Sequence, residues 1–221
     1  MINRIAILGG TGKEGKGLAY RWAKAGYEIV IGSRQVEKAQ IVADELNQLV
    51  GNAKVAITGL ENHQAADWCD IAVLTIPFSG HKALLESLKE CLKEKILIDV
   101  TVPLVPPKVT RVQMPPAGSA AQEAKLILGE NVQVVSAFQN ISYEKLLTDQ
   151  DIDCDVLVCG SSKEARSIVL ELVERAGMTG WDAGPIENSV VAEGLTSILI
   201  GINKEFGEHT AGIKITGIKR A

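Results

Sequence analysis

The chain has 221 residues, of which 46% are hydrophobic and 23% charged, enough for one large globular domain, or one domain with a small appendage. A net charge of −4 argues against nucleic acid and anionic membranes as partners. Aromatic residues make up only 4%, so Val, Ile, Leu and Ala must build the core, a bias suited to a sheet buried on both faces.

Ile5 to Gly9 reads as a strand and Lys13 to Ala25 as a helix. Glu28 to Gly32 is a second strand, followed by a charged helix from Val36 to about Val50 and a weaker third strand over Lys54 to Thr58. A short helix through Ala65 and Ala66 leads to a strong strand, Ile71 to Ile76. A helix from His81 to about Lys93 then precedes the strand Ile96 to Thr101. Strands alternating with helices specify βαβ crossovers and a mostly parallel sheet.

Val102 to Pro116 breaks this rhythm with five of the seven prolines, and proline removes backbone donors, so a loop is expected there. A helix over about Ser119 to Leu128, the strands Val132 to Ala137 and Asp155 to Cys159, and a helix over Lys163 to Ala176 follow. After a short run at Trp181 to Ala183, the last long element spans about Ser189 to Phe206. Its Val190, Val191, Leu195, Ile198, Leu199 and Ile202 recur at helical spacing, which predicts a buried helix. Gly194 and Gly201 near one face imply either close packing on a neighbour or approach to a cofactor or second subunit.

The expected fold is therefore α/β: a Rossmann-type, doubly wound, mostly parallel sheet with a small C-terminal helical extension. Cys69, Cys91, Cys154 and Cys159 form no Cys-x-x-Cys pair and the three histidines are scattered, so no metal site is expected and the thiols read as reduced. An apolar strand begins within three residues of Met1 and Glu193 and Lys204 interrupt the most apolar late segment. Neither a signal peptide nor a membrane span is expected, and the chain reads as cytoplasmic.

Gly10-Thr11-Gly12-Lys13-Glu14-Gly15 follows the first strand and opens the first helix, satisfying G-x-G-x-x-G in the context that gives it meaning. A diphosphate needs backbone N–H donors at the positive end of a helix, with no side chains in the way. The end of the second strand chooses between NAD and NADP. An acidic residue there would bind ribose hydroxyls, whereas Ser33, Arg34 and Lys38 supply a hydroxyl and two cations for a 2′-phosphate.

Ile7 to Ala19 and Ile31-Gly-Ser-Arg34 resemble the start of the F420-dependent NADP reductases. Asp70 to Pro77, Val135 to Phe138, Asp155 to Gly160, Asp182 to Pro185, Asn188-Ser189, Glu193 to Thr196 and Gly212 to Ile215 continue the resemblance over essentially the whole chain. It implies reversible hydride transfer between NADPH and the deazaflavin coenzyme F420, both bound as small-molecule partners. It also implies that Thr11 to Glu14 hold the pyrophosphate, and Ser33, Arg34 and Lys38 the 2′-phosphate. Thr75, Ile76, Pro77, Val102 and Ala137 would lie beside the nicotinamide, with Ala211 a contact of the deazaflavin. On this basis residues 1–184 form the NADP-binding domain, and 185–221 complete the F420 site and a homodimer contact. The chain departs from the family at Gln139-Asn140, where members often carry His, and at Phe78-Ser79-Gly80, which adds a residue to the loop.

Hydride exchange between two carriers needs no general base in its central step, so no catalytic side chain is expected; the protein holds the rings and excludes water. His81 could orient a ring or could be structural. The anionic tail of F420 calls for cations, for which Lys108, Arg111, Lys214, Lys219 and Arg220 are available. The alternatives are an NADP-dependent reductase of a small carbonyl or imine, and a non-enzymatic NADP-sensing module. A Tyr-x-x-x-Lys pair at Tyr20 and Lys24 falls on the first helix, away from where short-chain dehydrogenases use one.

Overall fold

The computed structural model describes residues 3–51 and 55–218. Eight strands form one sheet: β1 (Arg4–Leu8), β2 (Glu28–Ser33), β3 (Thr58–Glu61), β4 (Ile71–Leu74), β5 (Ile96–Asp99), β6 (Gln133–Ser136), β7 (Asp155–Gly160) and β8 (Thr179–Pro185). Their order is β3-β2-β1-β4-β5-β6-β7-β8. The first six run parallel, β7 pairs antiparallel with β6, and β8 parallels β7. Strand order therefore reverses at β1, between β2 on one side and β4 on the other. This is the switch point at whose carboxyl edge doubly wound sheets bind ligands.

The helices are α1 (Lys13–Lys24), α2 (Val36–Val50), α3 (Asn62–Trp68), α4 (His81–Leu88), α5 (Ala120–Leu128), α6 (Tyr143–Leu146), α7 (Lys163–Arg175) and α8 (Ser189–Phe206). Alternate residues of β1, β2, β4, β5 and β6 feed two cores. Ile5, Ile7, Ile29, Ile31 and Val73 pack under α1, α2 and α7. Ala6, Leu8, Val30, Leu74 and Leu97 pack under α3, α4 and α5. Burial on both faces explains why these strands read as continuous apolar runs.

Several expected boundaries are corrected. Lys54 lies outside the described residues, and the third strand begins only at Thr58. The Asn47 side chain occupies the backbone of Ile57, donating from Nδ2 to its carbonyl and accepting its N–H, both at 2.8 Å, so the strand ladder starts beyond it. Helix α4 ends at Leu88 and not near Lys93. The chain turns through Glu94, in the left-handed region at φ +60°, whose N–H donates to Asn131 O at 2.8 Å and leads into β5. Strand β8 extends well beyond the short run at Trp181 to Ala183.

Helix α8 is buried along one side only, where Ala192 and Leu199 are joined by polar residues. Ser189, Glu193 and Ser197 are its buried polar residues, while Val191, Ile198, Ile202 and Phe206 face out, at 62%, 51%, 43% and 74% exposure. The polar stripe faces inward because it has partners there. The Glu193 carboxyl accepts the Ala120 and Ala121 N–H groups at the start of α5 (2.7 and 3.1 Å), and Ser189 and Ser119 share a hydrogen bond of 2.7 Å. A helix start leaves such N–H groups unsatisfied. Gly194 lies beside Val112 and Met114 of the proline-rich loop, so close packing accounts for it.

Candidate functional site

The glycine turn sits at the carboxyl edge of β1, and each glycine has a separate duty. Gly10 donates its N–H to Ile7 O (3.1 Å) and Gly32 O (3.0 Å), tying the turn to the end of β2. A Cβ on Gly15 would come within 2.7 Å of Thr75 Oγ1 and 2.8 Å of Gly10 Cα, so its absence lets α1 start close against the β4 exit. Gly12, the N-cap residue of α1, is different: a Cβ there would meet nothing within 4 Å. No described residue demands its small size. A ligand approaching the backbone would, and the first N–H groups of a twelve-residue helix face that side.

Thr75 and Ile76 close the turn from the β4 side. Thr75 donates to Leu8 O through both its N–H (3.1 Å) and its hydroxyl (3.3 Å). The Ile76 side chain fills the space beside Gly9, whose backbone is left-handed at φ +68°. Pro77 follows, exposed, and Phe78–Gly80 forms a single tight turn before α4.

At the end of β2, Ser33 is buried and its hydroxyl accepts the Gln35 N–H at 3.2 Å. Arg34 and Lys38 are exposed, and neither has a carboxylate within salt-bridge distance among the described residues. Two free cations thus stand one helical turn apart beside the glycine turn. Thr11, Lys13 and Glu14 complete the group expected at the pyrophosphate.

Glu14 is the acidic member of that group. One of its oxygens, Oε1, is sealed from solvent without a hydrogen-bond partner. Burial pushes its carboxyl up to about 8, so the side chain is neutral at pH 7 and does not repel an approaching diphosphate. The folded form keeps a proton that the unfolded chain gives up near 4.5. This contribution to stability is therefore complete below about pH 4.5 and is lost as pH rises through about 8. Affinity for NADPH is expected to fall about tenfold between pH 7 and pH 9. Glu14→Gln should flatten that fall in calorimetric titrations; an unchanged profile would contradict the assignment.

Asp99, at the end of β5, ties together Thr101, which precedes Val102, and Ala137. Its Oδ1 accepts the Thr101 N–H (3.0 Å), while its carbonyl accepts the Ala137 N–H (3.4 Å) and the Gln139 side-chain amide (2.7 Å). Gln139 is buried and also donates to Ser136 Oγ at 2.8 Å. The chain reaches it through Phe138, held left-handed at φ +73° with its ring edge-on to Trp22. A non-glycine residue in that region is strained.

His81 is fully buried, with Nε2 2.7 Å from Asp99 and Nδ1 3.1 Å from Glu123. Burial lowers its basicity, but these two carboxylates outweigh burial and raise it. Both ring nitrogens are engaged, so His81 is an internal brace for Asp99. Sequence spacing gave no sign of the buried Asp99 and Glu193 or of the half-buried Glu123 beside His81, because their partners come from α4, β5, α5 and α8. Tyr20 and Lys24 both bond Asp149, which assigns that pair a structural role.

Ala211 lies on the tail after α8. Its N–H donates to Asn203 Oδ1 at 3.0 Å, and it lines a cavity of about 470 Å³ with Ile202, Phe206 and Thr210. The tail continues along β7, where Ile213 O accepts the Asp155 N–H at 2.9 Å. Lys214 is paired with Asp153, and Lys219 and Arg220 lie outside the described residues. Lys108 and Arg111 are exposed on the proline-rich loop, close to α8 through the Ser197 hydroxyl, which donates to Arg111 O.

An open glycine turn at the switch point of a doubly wound sheet, flanked by unpaired cations, defines a dinucleotide-binding α/β protein. Residues 4–103 match the family described as NADP oxidoreductase, coenzyme F420-dependent. The F420-dependent NADP reductase of Methanocaldococcus jannaschii is 40% identical over 98% of this chain and 99% of its own. That of Methanothermobacter thermautotrophicus is 37% identical over 99% and 97%. In three dimensions the fold is that of a protein from Arthrobacter sp. FB24 provisionally described as an F420-dependent NADP reductase (TM-score 0.79, 24% identity, 97% and 99% coverage). The chain belongs to the F420-dependent NADP reductase family.

Proposed function

We propose that the chain catalyses reversible hydride transfer between NADP(H) and coenzyme F420. The observation that carries this is the open side of Gly12 beside the free Arg34 and Lys38, in a chain that matches F420-dependent NADP reductases end to end. The reaction's chemistry belongs to the nicotinamide and the deazaflavin, which exchange a hydride when held face to face. The α1 N–H groups from Gly12 onward, with Thr11, Lys13 and neutral Glu14, bind the diphosphate. Ser33, Arg34 and Lys38 bind the 2′-phosphate and set the preference for NADP(H). Thr75, Ile76, Pro77, Val102 and Ala137 form the wall that positions the nicotinamide and excludes water. Gln139 and Asp99 fix that wall. Residues 185–221, through α8 and the tail at Ala211, complete the deazaflavin side, where Lys108 and Arg111 supply positive charge for its anionic tail.

Anaerobic mixing of the protein with NADPH and oxidised F420 tests this: F420's visible absorbance should bleach catalytically, and far more slowly with NADH. No bleaching, with NADPH bound, would contradict it.

The outward apolar face of α8 supports a homodimer. Val191, Ile198, Ile202 and Phe206 fall on one side of a helix that a monomer would leave wet. Sedimentation velocity is expected to show a dimer that Phe206→Asp or Ile198→Asp converts to monomer; a monomeric parent chain would contradict the dimer.

A further inference from the structure

Helix α6 has only four residues, yet it is fastened to α1 at several points. Arg21 of α1 donates from Nε to Leu146 O (3.0 Å), from Nη2 to Lys145 O (3.0 Å) and Gln150 O (2.8 Å), and from Nη1 to Ala176 O (3.4 Å). One guanidinium thereby holds the end of α6 and the segment after it. At Gly17 a Cβ would come within 2.3 Å of the Leu146 side chain, so a glycine in the middle of α1 lets α6 lie directly upon it. A mid-helix glycine costs helix stability, which close contact must offset. The Tyr20 hydroxyl donates to Asp149 at 2.9 Å and fixes the same segment from a third position.

The consequence of this fastening is the placement of Tyr143, the first residue of α6. Its hydroxyl oxygen accepts a hydrogen bond from Lys13 Nζ at 3.2 Å, and the ammonium lies 4.5 Å from its ring centroid. Lys13 directly follows Gly12, the residue whose open side marks the ligand approach. Tyr143 is 37% exposed, and its hydroxyl proton is donated to no described residue.

We infer that Tyr143 is a dinucleotide-binding residue, which holds the Lys13 ammonium beside the glycine turn and offers its own hydroxyl proton to the same diphosphate. This rests on the glycine turn being the NADP(H) site. A lysine free in solvent must surrender its rotamer freedom when it binds an anion. Lys13 is already ordered by the ring face and hydroxyl of Tyr143, so that cost is met on folding. The Tyr143 pair leaves the three ammonium protons only partly used, and the ammonium can still donate to phosphate oxygens. F420 also carries a phosphate in its tail, so the two ligands share chemistry at this point. The position of Lys13 on the glycine turn favours the dinucleotide.

Calorimetric titration of NADPH and, separately, of F420 into the full chain and its variants distinguishes them. Tyr143→Ala is expected to weaken NADPH binding about fivefold to tenfold, and Tyr143→Phe, which keeps the ring face, about twofold. Lys13→Ala should match Tyr143→Ala, and the double variant should bind little worse than Lys13→Ala alone, because Tyr143 acts largely through Lys13. F420 binding should stay at the parent value. Should Tyr143→Ala prove unstable in a thermal melt, Tyr143→Phe carries the same test. Parent-like NADPH binding by both Tyr143 variants, or weakened F420 binding in its place, would overturn the inference. A parent chain that binds no NADPH would instead overturn the functional proposal beneath it.

Discussion

Gly12→Val is expected to weaken NADP(H) binding at least about a hundredfold while the chain still folds. The reason is an asymmetry between the glycines of the turn. At Gly12 the backbone is extended (φ −78°, ψ 169°), which any residue adopts, and a Cβ meets no described atom within 4 Å. Valine is a poorer N-cap than glycine, which costs about 1 kcal/mol or less, a few degrees of melting temperature in a chain of this size. Its branched side chain would occupy the space through which a diphosphate reaches the helix N–H groups. Losing two charge-assisted hydrogen bonds at about 1.5–3 kcal/mol each accounts for a hundredfold or more. Gly15→Val should do something else. Its Cβ would collide with Thr75 Oγ1 at 2.7 Å and Gly10 Cα at 2.8 Å, so the melting temperature itself should drop sharply. Parent-like affinity in Gly12→Val would mean that the open side of the turn faces no ligand.

Arg34→Ala is expected to raise the dissociation constant for NADPH about thirtyfold to a hundredfold and to leave that for NADH nearly unchanged, so that the preference for NADPH largely disappears. Arg34 is exposed and unpaired among the described residues, as is Lys38, so neither cation is spent on holding the fold. Bidentate guanidinium–phosphate contacts are among the stronger hydrogen bonds available at a protein surface. Lys38 can only partly replace them, being a single point of charge. The difference between the two dinucleotides should shrink as salt rises, since both groups lie in solvent. A variant that keeps the parent's discrimination would show that the 2′-phosphate is read elsewhere.

The central features of this site are local in sequence, which is why they were legible there. The glycine turn, Ser33-Arg34 and Thr75-Ile76-Pro77 each lie within a few residues of a strand end, and a parallel sheet gathers strand ends on one edge without further instruction. The features that were missed depend on distant partners. Strand β3 starts at Thr58 because Asn47, ten residues earlier, satisfies the backbone of Ile57. Helix α8 turns Val191, Ile198, Ile202 and Phe206 outward because Glu193 finds the start of α5, seventy-three residues away. Burial then pushes the Glu193 carboxyl up to about 8, with the nearby Asp99 charge adding to it. The neutral state of Glu14 likewise arises from its surroundings: an acidic residue in a phosphate-binding turn looks unfavourable until burial is known. Helical periodicity located α8 correctly, but periodicity cannot say which face turns toward solvent.

The most direct test uses NADPH deuterated at the nicotinamide carbon that gives up its hydride, mixed anaerobically with the protein and oxidised F420. Direct transfer between two rings held together should place the deuterium in reduced F420, one label for each NADPH consumed, with none lost to water. Label appearing in the solvent, or NADPH consumed without reduction of F420, would contradict it.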